Sequence, residues 1–299
     1  MSFTFTHPYK INQSFKRPVA YFCMEFAIHQ AFKIYSGGLG FLAGSNIRSA
    51  YELQQNIVGI GILWKYGYYD QVRKSDQGMD ILFQEKLYGF LKKTDIKFTI
   101  SINKQPVQVT AYYLPPEVFH TSPVFFLSTD LPENDYLAKS ISFKLYDSNP
   151  EARIAASILL GAGDFKLLEL LQWEPVVYHL NESHALPLAF SLHNKYKNIS
   201  EVRKRLVFTN HTPEPSGNMK SDLFLLDKLG FFQDMSLDDV KKTGGTEGDF
   251  LDHTLTALRF AGKANGVSKL HWQTICRMWP QFDSNRMAEE YYKKMYDPV

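Results

Sequence analysis

Ser36-Gly37-Gly38-Leu39-Gly40-Phe41-Leu42-Ala43-Gly44 follows closely on the short apolar run Val19-Ala20-Tyr21-Phe22. The run reads as a buried parallel strand. Leu42, Ile47, Ala50, Tyr51 and Leu53 then recur at helical spacing. Strand, glycine turn and helix in that order aim backbone N–H groups and a helix N-terminus at an anion. Without a Cβ, glycine lets the backbone turn sharply and approach a ligand. The plainer alternative is a tight turn with no ligand. The stretch is not the dinucleotide fingerprint, because Gly38, Gly40 and Gly44 have the wrong last interval.

Outward from this stretch, apolar runs alternate with helical segments. Ile57 to Leu63, Val124 to Leu127, Pro175 to Leu180 and Leu206 to Thr209 read as further buried strands. Asn149-Pro150-Glu151 is a helix start, with an Asn cap, Pro at the first position and an acid in the first turn. Ile154, Ile158, Ala162 and Phe165 mark its apolar face. Ser236 opens a capping box, Leu251 to Phe260 reads as helix, and Gly266-Val267-Ser268 as a last short strand or turn. Between residues 81 and 113 the pattern changes: Phe98 to Ile102 and Val107 to Tyr112 alternate as half-exposed antiparallel strands do. The fold class expected is α/β, a Rossmann-like, doubly wound, mainly parallel sheet with a β-rich insertion.

Composition sets the outer limits. The chain has 299 residues, 44% hydrophobic and 21% charged, with net charge +2. That is a globular composition with room for a sizeable core. No Lys/Arg block exceeds three residues, which argues against nucleic acid and anionic membranes as partners. Cys23 and Cys276 are far apart in sequence, which favours a reducing compartment over a disulfide framework. No apolar stretch reaches the length of a membrane span and no signal-peptide core is visible, so a cytoplasmic location is expected.

In such a sheet, ligands bind outside the carboxyl ends of the strands. Four strand ends here carry chemistry: Glu25, the glycine stretch, Asn181-Glu182-Ser183-His184, and Asn210-His211-Thr212. A polar, nearly neutral cluster of this kind suits hydrogen bonding to sugar hydroxyls. His211 is the candidate ligand for a hydroxyl, the alternative being a turn cap. Glu182 and His184 are even candidates for ligand contact or for favouring a helix start. His179, inside an apolar strand, reads as a hydrogen-bonded core residue. His29, His120, His193, His253 and His271 read as surface or packing residues. No His/Cys/Asp grouping has metal-ligand spacing, and no nucleophile-elbow motif is present.

Six stretches together resemble the glycogen/starch/α-glucan phosphorylases in their short bacterial form. They are Tyr21-Phe22-Cys23-Met24-Glu25-Phe26, Ile34 to Gly44, Lys65-Tyr66-Gly67-Tyr68-Tyr69-Asp70-Gln71, Thr129-Asp130-Leu131-Pro132-Glu133-Asn134, Tyr178-His179-Leu180-Asn181-Glu182 and His211-Thr212-Pro213. The resemblance runs from about residue 17 to residue 279. It implies the N-terminal half of a glycosyltransferase-B fold, whose site lies between two Rossmann-like domains. It implies phosphorolysis of α-1,4-glucan or maltodextrin to glucose 1-phosphate, with pyridoxal phosphate, bound through a lysine, as proton shuttle. By resemblance, the backbone of Gly38 and Leu39 serves the substrate phosphate and developing charge. His211 orients the 6-hydroxyl of the glucosyl unit. Asn181, Glu182 and His184 line glucosyl or acceptor subsites, and Glu25 sits near the phosphate pocket. Gly37, Gly40 and Thr212 join them as substrate-binding candidates.

The chain also departs from the family pattern. Gly217-Asn218-Met219-Lys220 spells the family's pyridoxal motif, but inside the N-terminal half, so the cofactor lysine is not identified here. Ala156-Ser157 stands for a Gln-Glu-type pair, Gly163-Asp164 for Gly-Gly, Asn46 for His, and Trp272-Gln273 for Gly-Glu. Residues 281–299 resemble the crossover helix that returns to the first domain in full-length members, with Met287, Tyr291 and Met295 on one face. The expected organisation is one domain over residues 1–280 plus this helix, with the family's second, catalytic domain absent by natural deletion or engineering. A separate second domain, or self-association, is then expected to cover the open cleft, and no phosphorolysis is expected of the chain alone. The alternatives are a non-catalytic glucan-binding or scaffold domain, and the first domain of a nucleotide-sugar glycosyltransferase. Tyr35-Ser36, where synthases place a lysine before the glycines, argues against the last.

Overall fold

The computed structural model describes residues 3–212, 219–246 and 248–268. Its strands are β1 (Val19–Phe22), β2 (Ile57–Ile62), β3 (Asp70–Arg73), β4 (Met79–Leu82), β5 (Lys92–Ile102), β6 (Gln105–Leu114), β7 (Val124–Ser128), β8 (Val177–Asn181), β9 (Leu206–Asn210), β10 (Lys220–Asp222), β11 (Phe250–Asp252) and β12 (Lys263–Gly266). The main sheet has the order β12-β9-β8-β1-β2-β7-β6-β5. From β12 to β7 every neighbouring pair is parallel. β1, β2, β7, β8 and β9 are buried throughout, as strands covered on both faces must be.

Sequence order runs outward from β1 in one direction through β2 and β7, then in the other through β8, β9 and β12. Right-handed crossovers moving in opposite directions set their helices on opposite faces, which makes the sheet doubly wound. The direction reverses between β1 and β8, and that switch point leaves a crevice at their carboxyl ends.

α1 (Gly38–Glu52) joins β1 to β2, and buries Ala43, Asn46, Ile47 and Ala50. α2 (Pro150–Ile158) starts where the sequence signals it, with the Asn149 side chain accepting from the N–H groups of Glu151 and Ala152. Its continuation, Leu159–Gly163, widens into a π-helical turn before α3 (Asp164–Leu170), a feature the apolar spacing does not announce. α4 (Pro187–Tyr196) connects β8 towards β9. α5 (Leu223–Leu229), α6 (Leu237–Gly244) and α7 (His253–Phe260) fill the connection from β9 to β12. Ser236 caps α6 as expected, its hydroxyl accepting from Asp239 N–H at 3.2 Å.

The β-rich segment joins the main sheet: β5 and β6 pair antiparallel and continue it beyond β7. Their half-exposed alternation is that of an edge, where one face loses its helical cover. Two boundaries need correction. Leu251 and Asp252, read as the start of a helix, form β11 with Phe250 against β10, so α7 begins only at His253, capped by Asp252. The last strand lies at Lys263–Gly266, earlier than Gly266-Val267-Ser268. The expected crossover helix at 281–299 lies outside the described residues. No helix among the described residues is long and apolar enough to cross a membrane.

Candidate functional site

The loop after β1 turns on a buried carboxylate. Glu25 accepts from Ser36 N–H at 2.5 Å, Gly37 N–H at 3.2 Å, Ser36 Oγ at 3.2 Å and Tyr146 Oη at 2.8 Å. This clamp fixes the chain just before α1. The glycines then divide by role. A Cβ on Gly40 would meet Glu25 Oε2 and Tyr35 Cβ at 2.8 Å, and one on Gly44 would meet Ala27 O at 2.2 Å. Gly40 and Gly44 therefore let α1 lie against the β1 loop, an approach sealed by Ala27 N–H donating to Gly40 O at 2.9 Å. Gly37 and Gly38 face open space. The N–H of Gly37 is taken by Glu25, whereas Gly38 and Leu39 open the first turn of α1, where N–H groups have no intrahelical acceptor.

The opposite wall is built at the ends of β8 and β9. Glu182 stands at φ 72° and ψ 168°, a backbone region almost reserved for glycine. Its carboxylate accepts from the N–H groups of His211 at 2.5 Å, Thr212 at 3.1 Å and Ser183 at 3.2 Å. Its own N–H donates to Thr209 O at 2.9 Å. With Asn210 Nδ2 donating to Oε1 at 3.4 Å, five bonds overdetermine the strained residue. Burial pushes its carboxyl up to about 7, against the downward pull of the donors from His211, Ser183 and Thr212.

Asn181, one residue earlier, holds the ring of His211, with Nε2 and Oδ1 2.6 Å apart. Behind it His179 is fully buried, its Nε2 2.7 Å from Thr209 Oγ1, which donates to Asn265 Oδ1 at 2.7 Å. Burial, and then the neighbouring His211, lower the His179 pKa to about 3. The core assignment of His179 holds. Of the residues read as surface or packing histidines, His253 is fully buried and lies 3.0 Å from Ser221 Oγ.

Between the two walls is a cavity of about 610 Å³. Of the residues singled out in the sequence, Glu25, Gly37, Gly38, Leu39, Glu182, His184, His211 and Thr212 line it. Gly40 and Asn181 do not. Gly40 is packed under Glu25, and Asn181 lies behind His211. His184 offers a buried, unpartnered Nδ1, and burial lowers its pKa to about 4, so the ring is neutral and accepts as well as donates.

Sequence reasoning missed Lys144, Tyr146 and Arg153, which bring phenol and cations to the cavity, and it weighed Lys220 only as a cofactor lysine, although that residue lines the cavity too. Arg153 lies in the first turn of α2, so the Asn149-Pro150 cap was a usable signal for it. Lys144 and Tyr146 come from an aperiodic stretch, and Tyr146 takes φ 58°, which no pattern predicts. Among the described residues no group of His, Cys, Asp and Glu has the geometry to hold a metal ion.

Fold and cavity together define a class: a doubly wound α/β domain with a polar cleft at its topological switch point. The chain is similar to two kinds of relative. An uncharacterized protein of Methanocaldococcus jannaschii is 46% identical over 264 residues, 88% of this chain and 50% of that one. Maltodextrin phosphorylase of Thermococcus litoralis is 32% identical over 282 residues, 88% of this chain and 34% of that one. Glycogen phosphorylase of Aquifex aeolicus is 30% identical over 293 residues, 90% of this chain and 42% of that one. The chain thus spans about a third to a half of the length of these curated relatives. No protein-family model matches it.

Proposed function

We propose that this chain is a phosphorylase-like glycosyltransferase domain of glycosyltransferase-B type, and that its cleft is the glucan- and phosphate-facing half of the site. One observation carries the reading: residues from three strand ends and the first turn of α1 converge on one cavity at the switch point. The similarity to maltodextrin and glycogen phosphorylases supports the substrate class, an α-1,4-glucan with phosphate as acceptor.

In this reading the N–H groups of Gly38 and Leu39 and the dipole of α1 stabilise negative charge at the phosphate. His211, Thr212 and the neutral His184 ring bind sugar hydroxyls. Glu25 and Glu182 contribute by shaping the two walls, since both carboxylates are engaged by backbone N–H groups.

Pyridoxal phosphate, which the family resemblance implies, fits the described residues poorly. The lysines on the cavity wall are Lys144 and Lys220. Lys144 rests its Nζ 4.3 Å over the Phe83 ring, and Lys220 is exposed at the head of β10. Neither stands in an enclosed slot for a pyridine ring. This chain by itself is therefore expected to bind glucan without turning it over.

A second reading, a non-catalytic glucan-binding domain, has one observation in its favour. Ala156 and Ser157, which replace the family's Gln-Glu-type pair, both line the cavity. Incubation with maltodextrin, phosphate and pyridoxal phosphate tests the proposal, with glucose 1-phosphate and glucan binding as the two readouts. Binding without product is expected. Product from this chain alone would overturn the half-site reading, and absence of glucan binding would overturn both readings.

A further inference from the structure

Asn181 is buried, yet its side chain makes two polar contacts that run in one line. Its Oδ1 lies 2.6 Å from His211 Nε2, and its Nδ2 donates to Cys23 Sγ at 3.2 Å. The same sulfur receives the backbone N–H of Glu25. A carboxamide has two ends of opposite character: the oxygen only accepts, the nitrogen only donates. Whichever end faces His211 decides which ring nitrogen carries the proton.

With the nitrogen end on sulfur, the oxygen end faces the ring, and Nε2 must donate to it. In the neutral imidazole Nδ1 is then the lone-pair nitrogen. We propose that Asn181 is a positioning residue that sets the tautomer and aim of His211, and that the Cys23 sulfur keys the amide in the required orientation. Rotating the Asn181 amide by half a turn would place its donor against Nε2 and drive the proton to Nδ1. The thiol sits at 0% exposure beside the loop that carries Glu25, so the key belongs to the core and not to the surface. Glu182, the next residue, holds the backbone N–H of His211. Two consecutive residues of one strand end thus fix the ring and the main chain of the same histidine.

The consequence for ligand choice rests on the glucan reading above. A ring whose aim is fixed before a ligand arrives also fixes the line of the hydrogen bond it makes to a sugar hydroxyl.

Long-range 1H–15N spectra of the labelled full chain test this without ligand or activity. The wild-type His211 ring is expected to show a protonated Nε2 and an unprotonated Nδ1. Asn181→Leu is expected to lose that preference and show mixed tautomers. Asn181→Asp, which offers only acceptor atoms, is expected to restore it. Cys23→Ala, a milder change should the leucine variant fail to fold, is expected to give a partial mixture, and Cys23→Ser to return the wild-type pattern. A wild-type ring protonated at Nδ1 would overturn the proposal, as would an unchanged ring spectrum in the leucine variant or, if that variant fails to fold, in Cys23→Ala.

Titration with maltoheptaose separates this result from the functional reading. Binding to Asn181→Leu is expected to be about tenfold weaker, the value of one hydrogen bond. If wild-type resonances do not move at all with maltoheptaose, the glucan reading fails while the tautomer result stands.

Discussion

The two walls of the cleft solve one problem in opposite ways. Each must turn the chain sharply at a strand end and present groups to a ligand. The α1 wall does so by omission, with open space at Gly37 and Gly38 and close packing at Gly40 and Gly44. The β8–β9 wall does so by force, holding Glu182 at φ 72° with its carboxylate bonded to three backbone N–H groups. Each wall spends N–H groups on a buried carboxylate, Ser36 and Gly37 on Glu25 and His211, Thr212 and Ser183 on Glu182. In the proposed reading the first wall then offers the N–H groups of Gly38 and Leu39 to an anion, and the second offers the side chains of His184, His211 and Thr212 to hydroxyls.

The sharpest way to break this comparison is at the glycines themselves. Gly44→Ala drives a Cβ to 2.2 Å from Ala27 O, and is expected to cost about 3 kcal/mol or more, or to prevent folding. Gly38→Ala meets nothing within 4 Å and is expected to stay within about 1 kcal/mol of wild type in denaturant melts. Equal effects would mean that the glycines do not divide as described.

On the other wall, Glu182→Ala leaves buried N–H groups of His211, Thr212 and Ser183 without their acceptor, at a cost of about 2–3 kcal/mol. Glu182→Gly loses the same acceptor but releases the strained backbone. It is expected to be about 1 kcal/mol more stable than the alanine variant, a reversal of the usual ranking of the two residues. Thermal melts of the pair check the sign.

These contrasts also explain how much could be read in advance. β1, β2, β7, β8 and β9 were legible because strands buried on both faces need unbroken apolar runs, and the α2 start because Asn149 and Pro150 have few other uses. β3 and β4 were not, because every residue of β4 and all but Asp70 of β3 is exposed, so no alternation marks them. β5 and β6 showed their strand character but not their place, since an edge of the main sheet and a separate hairpin share one pattern. At the site, residue types at strand ends pointed to the cavity. What each does there depends on contacts across the chain: Glu25 meets Tyr146, and Asn181 meets Cys23 and His211. Spacing along the sequence carries no trace of such pairings.

A smaller effect follows from groups that bury a charge or its precursor. Asp164 is fully buried with neither oxygen bonded, and burial raises its pKa well above the ordinary value. The native state must keep a proton that the unfolded chain releases, so this residue's contribution falls as pH rises from about 4 through its raised native value. Glu182 acts in the same direction between about pH 4.5 and 7. His179, His184 and His253 act the other way: burial lowers their values to about 3, 4 and 3, so stability is lost as pH falls below about 6.5. Asp164→Ala is expected to raise stability at pH 7 by about 1–2 kcal/mol and to flatten the neutral-side slope. The acid-side loss should be unaltered. Urea titrations at pH 5, 7 and 8 on both proteins separate the two limbs.

The central claim is that the cleft between the two walls is where a glucan binds. Amide 1H–15N spectra recorded during titration with maltoheptaose test it most directly. The expected result is saturable shifts at Gly38, Leu39, His211 and Thr212, on both walls together. Shifts confined instead to the separate cavity between Thr99–Lys104 and Asp227–Met235, or no shifts at saturating sugar, would contradict it.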